Sequence, residues 1–178
     1  MRISGGVLRG RGVRFPPGEI RPAMDRMRES VFAGLGDLTG RSFLDMFSGS
    51  GIIALEAASR GAEPIEAVER DPLKRAVLIE NVSIAPVRIR CRFMAAELYI
   101  RRAKTNFDII FCDPPFPYEY RPELIRDLGA SRLLGEGSRL IIHRPRESPL
   151  AQSAGPLVLE MSKEYGRSVV DFFIFHRS

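Results

Sequence analysis

The residues with the clearest chemical potential are Asp113-Pro114-Pro115-Phe116, which directly follow an apolar run at 107–112. Each proline fixes φ at about −65° and removes a backbone N–H donor, so the turn is stiff and its carbonyl groups stay free to accept hydrogen bonds. The carboxylate and carbonyls can accept hydrogen bonds from an amine, and the aromatic ring can stack on a planar base. The turn is therefore predicted to bind an amine-bearing nucleobase.

The exocyclic amine of a nucleobase is a poor nucleophile because its lone pair is delocalised into the ring. Hydrogen bonds to the Asp113 carboxylate and the Pro114 carbonyl would direct this amine towards a methyl donor and stabilise the charge that develops on nitrogen. The base must be unstacked or flipped out to reach such a turn. Taken alone, Asp113 also fits an ordinary Asx turn that only shapes a loop.

A second chemistry-bearing segment, Asp45-Met46-Phe47-Ser48-Gly49-Ser50-Gly51, joins a predicted strand to a predicted helix. Its glycines permit a tight turn and a close approach of a ligand to the helix N-terminus. Glu69 ends the next predicted strand. A carboxylate there can accept hydrogen bonds from both ribose hydroxyls of an adenosine, so this loop is predicted to bind a cofactor.

The charge of the loop distinguishes two candidate cofactors. The spacing Gly49-x-Gly51-x-x-Ala54 and the position of Glu69 also fit a nicotinamide dinucleotide. Asp45 would repel the pyrophosphate of a dinucleotide, but it would attract the ammonium and sulfonium groups of S-adenosylmethionine. S-adenosylmethionine is therefore the predicted methyl donor. A nicotinamide-dependent oxidoreductase is the alternative, and it leaves the double-proline turn unexplained.

Strands and helices alternate from residue 42 onward. Apolar patterns predict strands at 43–47, 65–69, 87–93, 107–112 and 138–143, with helices at 52–60, from 72, around 96–103 and near 121–128. Two further strands, at 157–163 and 168–175, predict a C-terminal antiparallel hairpin. This order is typical of a doubly wound α/β fold with a mostly parallel sheet, in which ligands bind at the carboxyl ends of the strands.

Residues 1–38 are predicted to form a basic extension of the domain at 39–178. Weak alternation predicts a small β-hairpin with a turn at 16–18, and apolar residues at helical spacing predict a helix from Pro22 that Gly34 and Gly36 end. The first 30 residues contain seven arginines and three acidic residues, although the net charge of the whole chain is only +5. A polyanionic partner for the extension is therefore plausible on charge grounds.

Bulk composition argues against several other classes of protein. The chain of 178 residues is 44% hydrophobic and 28% charged, which is typical of one globular domain. We find no N-terminal secretion segment and no apolar run of about 18 residues. Neither the two cysteines nor the two histidines show the spacing of a metal site. A cytoplasmic monomer without a metal or membrane partner is expected.

These segments resemble the RsmD family, bacterial enzymes that methylate N2 of a guanine in 16S ribosomal RNA. The resemblance covers nearly the full length of the chain. Its motifs are Arg2-Ile3-x-Gly5-Gly6, Arg9-Gly10-Arg11, Arg21-Pro22-x-x-Asp25-Arg26-x-Arg28-Glu29-x-x-Phe32, Phe47-x-Gly49-Ser50-Gly51, Glu69-x-Asp71, Asp113-Pro114-Pro115-Phe116 and Lys163-Glu164-Tyr165-Gly166. The segment that begins at Arg21 is the most family-specific of these.

The resemblance implies a class I S-adenosylmethionine-dependent methyltransferase fold with Asp113, Pro114, Pro115 and Phe116 at the target guanine. The predicted cofactor-binding residues are Asp45, Phe47, Ser48, Gly49, Ser50, Gly51, Glu69, Arg70, Ala95, Ala96 and Asp113. Ala95 is a departure, because the family usually has a polar residue there that meets the adenine amine. Because Asp113 or water can accept the proton released on methylation, no histidine base is expected.

Small-subunit ribosomal RNA, in an assembled or partly assembled ribosomal subunit, is the predicted partner. The predicted phosphate contacts are Arg9, Arg11, Arg21, Arg26 and Arg28, with the last three on the polar face of the N-terminal helix. An unpartnered solvated surface is the alternative for these arginines. A DNA adenine-N6 methyltransferase and a non-catalytic RNA-binding protein with the same fold remain alternative functions. Tyr118 and Tyr120 are expected either to line the pocket or to pack the loop.

Overall fold

The computed structural model describes residues 1–16 and 22–177. Its strands are β1 Phe43–Met46, β2 Ile65–Val68, β3 Ile89–Arg92, β4 Ile109–Cys112, β5 Arg139–Pro145, β6 Ser153–Ala154, β7 Leu157–Tyr165 and β8 Ser168–Phe175. They form one sheet in the order β3-β2-β1-β4-β5-β8-β7-β6. The first five strands pair in parallel, and antiparallel pairing adds the three C-terminal strands.

The sheet confirms the predicted doubly wound, Rossmann-like α/β fold with a C-terminal antiparallel hairpin. All residues of β1 and β4 are buried, because helices cover both faces of a parallel sheet. This explains why β4 is apolar throughout and why Asp45 is the one polar residue of β1. β8 lies between β5 and β7, so the hairpin inserts its second strand into the sheet. β6 was not predicted, since two residues are too few to show a periodic pattern.

The helices are α1 Pro22–Leu35, α2 Ile52–Ser59, α3 Arg75–Val82, α4 Ala96–Arg102 and α5 Arg121–Ala130. Two boundaries differ from prediction. Gly34 lies inside α1, and Gly36, with φ of 69°, follows its last residue. A 3-10 turn precedes α3, because the side chain of Asp71 accepts a hydrogen bond from Leu73 N at 2.9 Å.

The N-terminal extension packs directly on the rest of the protein. Arg2 and Gly12 form a single antiparallel bridge, which is shorter than the predicted hairpin. Ile3 and Phe32 belong to the same buried apolar cluster as Phe43 of β1. The predicted boundary between the extension at 1–38 and the domain at 39–178 therefore runs through one continuous apolar cluster. The division into these two units stays a prediction. Residues 17 and 18 of the predicted turn, and Arg21, lie outside the described residues.

Gly6 shows how closely this extension approaches α2. It has φ of 74°, and a Cβ at this position would lie 1.8 Å from the Ser59 carbonyl oxygen. Val7 N donates to the same oxygen at 2.8 Å, and Leu8 N donates to Ser59 Oγ at 2.8 Å. Glycine is required here because any side chain would occupy the space of the α2 backbone.

The prediction that Arg28 lies on an exposed polar face of α1 is wrong. Its side chain is only 3% exposed, and its Nε donates to Glu56 Oε1 on α2 at 2.9 Å. Its other donors reach Asp25 Oδ1 at 2.6 Å and the Arg2 carbonyl at 2.8 Å. Arg60 also pairs with Glu56. A fully buried carboxylate requires cationic partners, so this cluster binds the extension to α2 instead of facing a ligand.

No helix within residues 1–16 and 22–177 is both long and apolar enough to cross a membrane.

We expect Glu56→Ala to lower the free energy of unfolding by about 3–5 kcal/mol, because it removes the buried partner that Arg28 and Arg60 share. Urea denaturation followed by circular dichroism measures this change. Glu80→Ala is the control, since it removes an ion pair in which both side chains are more than half exposed. Equal effects of the two substitutions would show that the buried cluster does not stabilise the fold.

Candidate active site

The predicted site lies where the strand order reverses in the parallel sheet. β1 has β2 on one side and β4 on the other, so the loops after these strands start side by side. The backbone joins them: Ser48 N donates to Val68 O at 2.9 Å, and Asp113 N donates to Met46 O at 3.3 Å. The predicted cofactor loop and the predicted base-binding turn are therefore brought together at one edge, as expected for this topology.

The loop after β1 has an unusual backbone. Phe47, Gly49 and Gly51 have φ of 62°, 56° and 81°. A Cβ on Gly51 would lie 2.7 Å from Leu78 Cδ1, so this glycine permits α2 to pack on α3. A Cβ on Gly49 would meet no described atom within 4 Å. The left-handed backbone at Gly49 therefore borders open space, where a ligand can approach the chain closely.

Asp45 is a buried acid with one oxygen available. The residue is 1% exposed, and its Oδ2 accepts hydrogen bonds from Ser48 Oγ at 2.7 Å and Ala54 N at 3.1 Å. Its Oδ1 is also buried and has no hydrogen-bond partner among the described residues. Burial raises the pKa of Asp45 to about 7, the two hydrogen bonds oppose that shift, and the charges of Asp113 and Glu69 add to it. Such a group suits a cationic ligand that can satisfy Oδ1.

Glu69 connects the loops after β1 and β2. It is 6% exposed, its Oε2 accepts from Gly49 N at 2.8 Å, and its Oε1 accepts from Asp71 N at 2.8 Å. Each carboxylate oxygen can accept a further hydrogen bond. Glu69 therefore holds the glycine loop in place and can also bind ligand hydroxyls. The next residue, Arg70, is exposed.

Ala95 and Ala96 lie at the start of α4, after β3. Ala96 is buried, and Ala95 occupies the N-cap position in an extended conformation without a side-chain cap. Neither side chain can form a hydrogen bond, so any polar contact from this segment must come from its backbone or from the following residue. That residue, Glu97, accepts a hydrogen bond from Tyr118 Oη at 2.7 Å.

Tyr118 packs the loop after β4 against the cofactor loop. Its ring meets Phe47 edge-on, with 5.4 Å between centroids, and its hydroxyl bonds to Glu97. Tyr120 is 63% exposed and contacts the Tyr118 ring. Of the two open expectations for these tyrosines, packing of the loop is what the structure shows for Tyr118.

The turn after β4 carries a carboxylate that already has a partner. Asp113 is 16% exposed at its side chain, and its Oδ1 lies 2.8 Å from Nδ1 of His143. The ring of Phe116 lies 5.5 Å from the His143 ring, centroid to centroid. Sequence reasoning missed this contact because it did not consider that β4 and β5 are neighbours, with Cys112 opposite Ile142.

The prediction that the carbonyl groups of the turn stay free is wrong for most of them. Arg121, at the start of α5, is 4% exposed and its Nη2 donates to Pro115 O at 2.8 Å. It also bonds to the carbonyls of Phe116, at 3.3 Å, and Tyr118. Its distance to Pro114 O is a long 3.5 Å. The two prolines provide no N–H groups, and the Nη atoms of one guanidinium donate to several carbonyl groups of this turn, together with Tyr118 N, which donates to Pro115 O at 2.8 Å. The Nε of Arg121 is buried and has no hydrogen-bond partner among the described residues.

A polar contact also links the site to the N-terminal extension. Asn81 of α3 is buried, and its Nδ2 donates to Ser50 O at 2.8 Å and to Arg14 O at 3.0 Å. Its Oδ1 accepts from Arg14 N at 3.0 Å. One side chain therefore holds both the cofactor loop and the extension.

Comparison with known proteins finds both a family model and named relatives. A family model described as "Conserved hypothetical protein 95" matches residues 1–174. "Putative rRNA methyltransferase YlbH" of Bacillus subtilis (strain 168) is 29% identical over 180 residues, which cover 97% of this chain and 98% of that protein. "Ribosomal RNA small subunit methyltransferase D" of Escherichia coli (strain K12) is 32% identical over 154 residues, which cover 84% of this chain and 77% of that protein.

A solved structure has the same fold over its whole length. "Putative methyltransferase yhhF from Escherichia coli" superposes with a TM-score of 0.90 at 29% identity, covering 100% of this chain and 99% of that one. Together with the acidic cofactor loop, these matches make S-adenosylmethionine the cofactor.

We expect the affinity for S-adenosylmethionine to rise as the pH increases from about 6 to about 8. Asp45 is largely protonated below its pKa of about 7 and ionised above it, and only the ionised form attracts a cation. Isothermal titration calorimetry at several pH values measures this affinity.

Asp45→Asn is the control for that titration. The amino group of the ligand itself titrates at about 7.7–8.0 and acts in the opposite direction, because it loses its charge as the pH rises. The Asp45→Asn variant retains only the contribution of the ligand amino group. At pH 8 its affinity for S-adenosylmethionine should therefore be lower than that of the wild type, and its affinity should not increase as the pH rises. The same rise in both proteins would show that Asp45 does not contact the cofactor.

Proposed function

We propose that this chain, which belongs to the family described as Conserved hypothetical protein 95, methylates the N2 amine of a guanine in small-subunit ribosomal RNA. The observation that carries the proposal is the adjacency of the Asp113 turn and the cofactor loop on neighbouring strands. The names of relatives from Bacillus subtilis and Escherichia coli support ribosomal RNA as the substrate. The resemblance to the RsmD family supports guanine N2.

The residues of the candidate site, in the loops after β1, β2, β3 and β4, fit S-adenosylmethionine. The unpartnered Oδ1 of Asp45 would accept a hydrogen bond from its amino group, and Glu69 would accept hydrogen bonds from its ribose hydroxyls. The open space at Gly49 would admit the ligand, while Ala95 and the buried Ala96 would border its adenine. The remaining proposed contacts are Phe47, Ser48, Ser50, Gly51, Arg70 and Asp113. Bound there, the cofactor supplies an electrophilic methyl group on a sulfonium.

Asp113 is the proposed catalytic carboxylate. In its ionised form it accepts a hydrogen bond from the guanine amine, which orients the nitrogen and favours the charge that develops there. Phe116 stacks on the base, and Pro114 and Pro115 keep the turn rigid. As nitrogen gains its methyl group it loses one proton, which Asp113 accepts and passes to solvent. Arg121 supports the reaction indirectly, because it fixes the carbonyl groups of the turn.

The exposed arginines of the extension are the proposed RNA contacts. Arg9, Arg11 and Arg26 are exposed, whereas Arg28 is removed from this set because it is buried against Glu56. Arg21 stays in the proposal, although it lies outside the described residues. So small a chain has little surface with which to select one base, so an assembled or partly assembled ribosomal subunit is the proposed substrate. We propose that the enzyme acts as a monomer in the cytoplasm.

The decisive experiment supplies purified protein and methyl-labelled S-adenosylmethionine with small ribosomal subunits, naked small-subunit RNA or duplex DNA. The subunits and RNA come from cells that lack the enzyme, and nucleosides are identified by mass spectrometry after digestion. We expect N2-methylguanosine from subunits. Detection of N6-methyladenine in DNA would show that the substrate is DNA and not ribosomal RNA. The absence of label from every substrate would favour a non-catalytic RNA-binding protein.

Asp113→Ala is expected to abolish this methylation, because the guanine amine loses its acceptor. Its affinity for S-adenosylmethionine, measured by calorimetry, should stay within a few-fold of that of the wild type. An equal loss of methylation and of cofactor binding would instead mean that Asp113 maintains the structure of the cleft.

Substitution of Arg9, Arg11 and Arg26 by Glu in one variant should weaken binding of small-subunit RNA. It should also flatten the slope of log affinity against log salt concentration by roughly 0.7–0.9 for each phosphate that the variant no longer neutralises. Fluorescence anisotropy at several salt concentrations measures both quantities.

The matched control replaces three other exposed arginines, Arg132, Arg139 and Arg177, by Glu. These lie near the amino end of β5, at the edge of the sheet opposite the site. The change in net charge is the same in both variants. Equal losses of affinity would therefore mean that overall charge, and not the N-terminal extension, attracts the RNA.

A further inference from the structure

His143 is a buried side chain that the proposed mechanism does not yet use. It lies in β5, next to β4, and is only 2% exposed. Cys112 of β4 lies opposite Ile142 of β5, so the parallel register brings the following residues, Asp113 and His143, together as well. The contact between them therefore results from the sheet and does not depend on the conformation of a mobile loop.

The two ring nitrogens of His143 have different surroundings. Nδ1 lies 2.8 Å from Oδ1 of Asp113. Nε2 is buried and has no hydrogen-bond partner among the described residues. An ionised carboxylate can only accept hydrogen bonds, so Nδ1 must carry the proton in this contact. A neutral ring then has its lone pair on Nε2, which buries no unpaired N–H group.

We propose that His143 is a positioning residue for methyl transfer: its Nδ1–H donates to Oδ1 of Asp113 and leaves Oδ2 to accept the hydrogen bond of the target amine. This inference rests on the catalytic role proposed for Asp113. The imidazole ring also contacts Phe116, at 5.5 Å between centroids and 57° between planes. One ring thus supports both the carboxylate and the aromatic side chain of the turn.

The electrostatics of the cleft explain why this donor is needed. Asp113 lies close enough to the buried Asp45 for its charge to raise the pKa of Asp45. A hydrogen bond from Nδ1–H of His143 stabilises the negative charge that Asp113 carries beside this second carboxylate. The bond also restricts rotation of the carboxylate, and misplacement of a reacting group by about 1 Å costs about 100-fold in rate.

Two substitutions separate positioning from simple packing. The amide of His143→Asn can place an N–H donor near the position of Nδ1, whereas His143→Leu fills the space without a donor. We expect the Leu variant to lower kcat about 100-fold, with KM for small ribosomal subunits and affinity for S-adenosylmethionine within about threefold. The Asn variant should retain kcat within about fivefold. Equal losses of kcat in both variants, or no loss in either, would overturn the proposal.

Nuclear magnetic resonance tests the hydrogen bond without any turnover. The chain has only two histidines, and the other, His176, is exposed at its side chain and lies 3.1 Å from Glu136. His176→Gln therefore leaves a single imidazole, whose protonation on Nδ1 or Nε2 is read from long-range ¹H–¹⁵N correlations at about pH 8. We expect a proton on Nδ1, and we expect Asp113→Ala to shift this signal.

Failure of the role proposed for His143 is distinguishable from failure of the proposed methylation. A proton on Nε2 alone, or no shift on Asp113→Ala, would overturn the role of His143 whatever the substrate of the enzyme is. Absence of a proton on Nδ1 would leave the proposed methylation of guanine untouched. Full methylation by the Asp113→Ala variant would refute the catalytic role of Asp113, even if the hydrogen bond between His143 and Asp113 exists. These spectra also keep the proposal falsifiable if the Leu variant fails to fold.

Discussion

The parallel pairing of β1 with β4 is the constraint on which the site depends. The pairing places Asp45 opposite Phe111 and Met46 opposite Cys112, so the segments that follow the two strands leave the sheet side by side. A slip of one residue would turn every side chain of a strand to the other face. Buried apolar residues on both faces of β1 and β4 resist such a slip. The apolar core thereby sets the distance between the proposed cofactor loop and the proposed base-binding turn.

Three carboxylates, Asp45, Glu69 and Asp113, gather at this edge, and each is held by N–H or O–H donors. Ser48 and Ala54 bind the first, backbone amides of Gly49 and Asp71 bind the second, and the imidazole of His143 lies against the third. Within the part of the chain that the structure describes, the hydrogen-bond donors to Asp45 and Glu69 are backbone amides and a serine hydroxyl, and not lysine or arginine. At these two carboxylates fixed dipoles stabilise charge without neutralising it, so this part of the site is electrostatically suited to a cation.

Sequence patterns predicted most strands of the sheet and the two loops that the structure brings together at one edge, and they did not predict the side-chain contacts at that edge. Clusters of apolar residues marked β1, β4 and β5 because parallel strands are buried on both faces. Glycine spacing and the double proline marked the two loops because each needs a special backbone. Arg28 was misplaced because its partner, Glu56, is 28 residues away on another helix. A charged residue at a surface-like helical position carries no local sign that a distant acid buries it.

The contacts of Arg121 and His143 were missed for a related reason. Arg121 donates from its side chain to carbonyl groups of a turn in which the two prolines supply no backbone N–H donors, a requirement that the sequence does imply. A search for a multi-donor side chain a few residues beyond the double proline would have found it. His143 could have been found from the strand order, since β4 and β5 are adjacent in doubly wound sheets. Tertiary neighbours, and not local propensity, decide both cases.

The hydrogen bonds of Asn81 make the N-terminal extension and the cofactor loop part of one cooperative unit. Because the same amide binds Ser50 and Arg14, detachment of the extension leaves the buried side chain of Asn81 without its two hydrogen bonds to Arg14, while its bond to Ser50 O remains. Local opening of the extension therefore exposes a side chain that also supports the proposed cofactor loop. In hydrogen-exchange terms, we expect amides of the two segments to open together as one foldon, although more than 30 residues of chain separate Arg14 from Ser50.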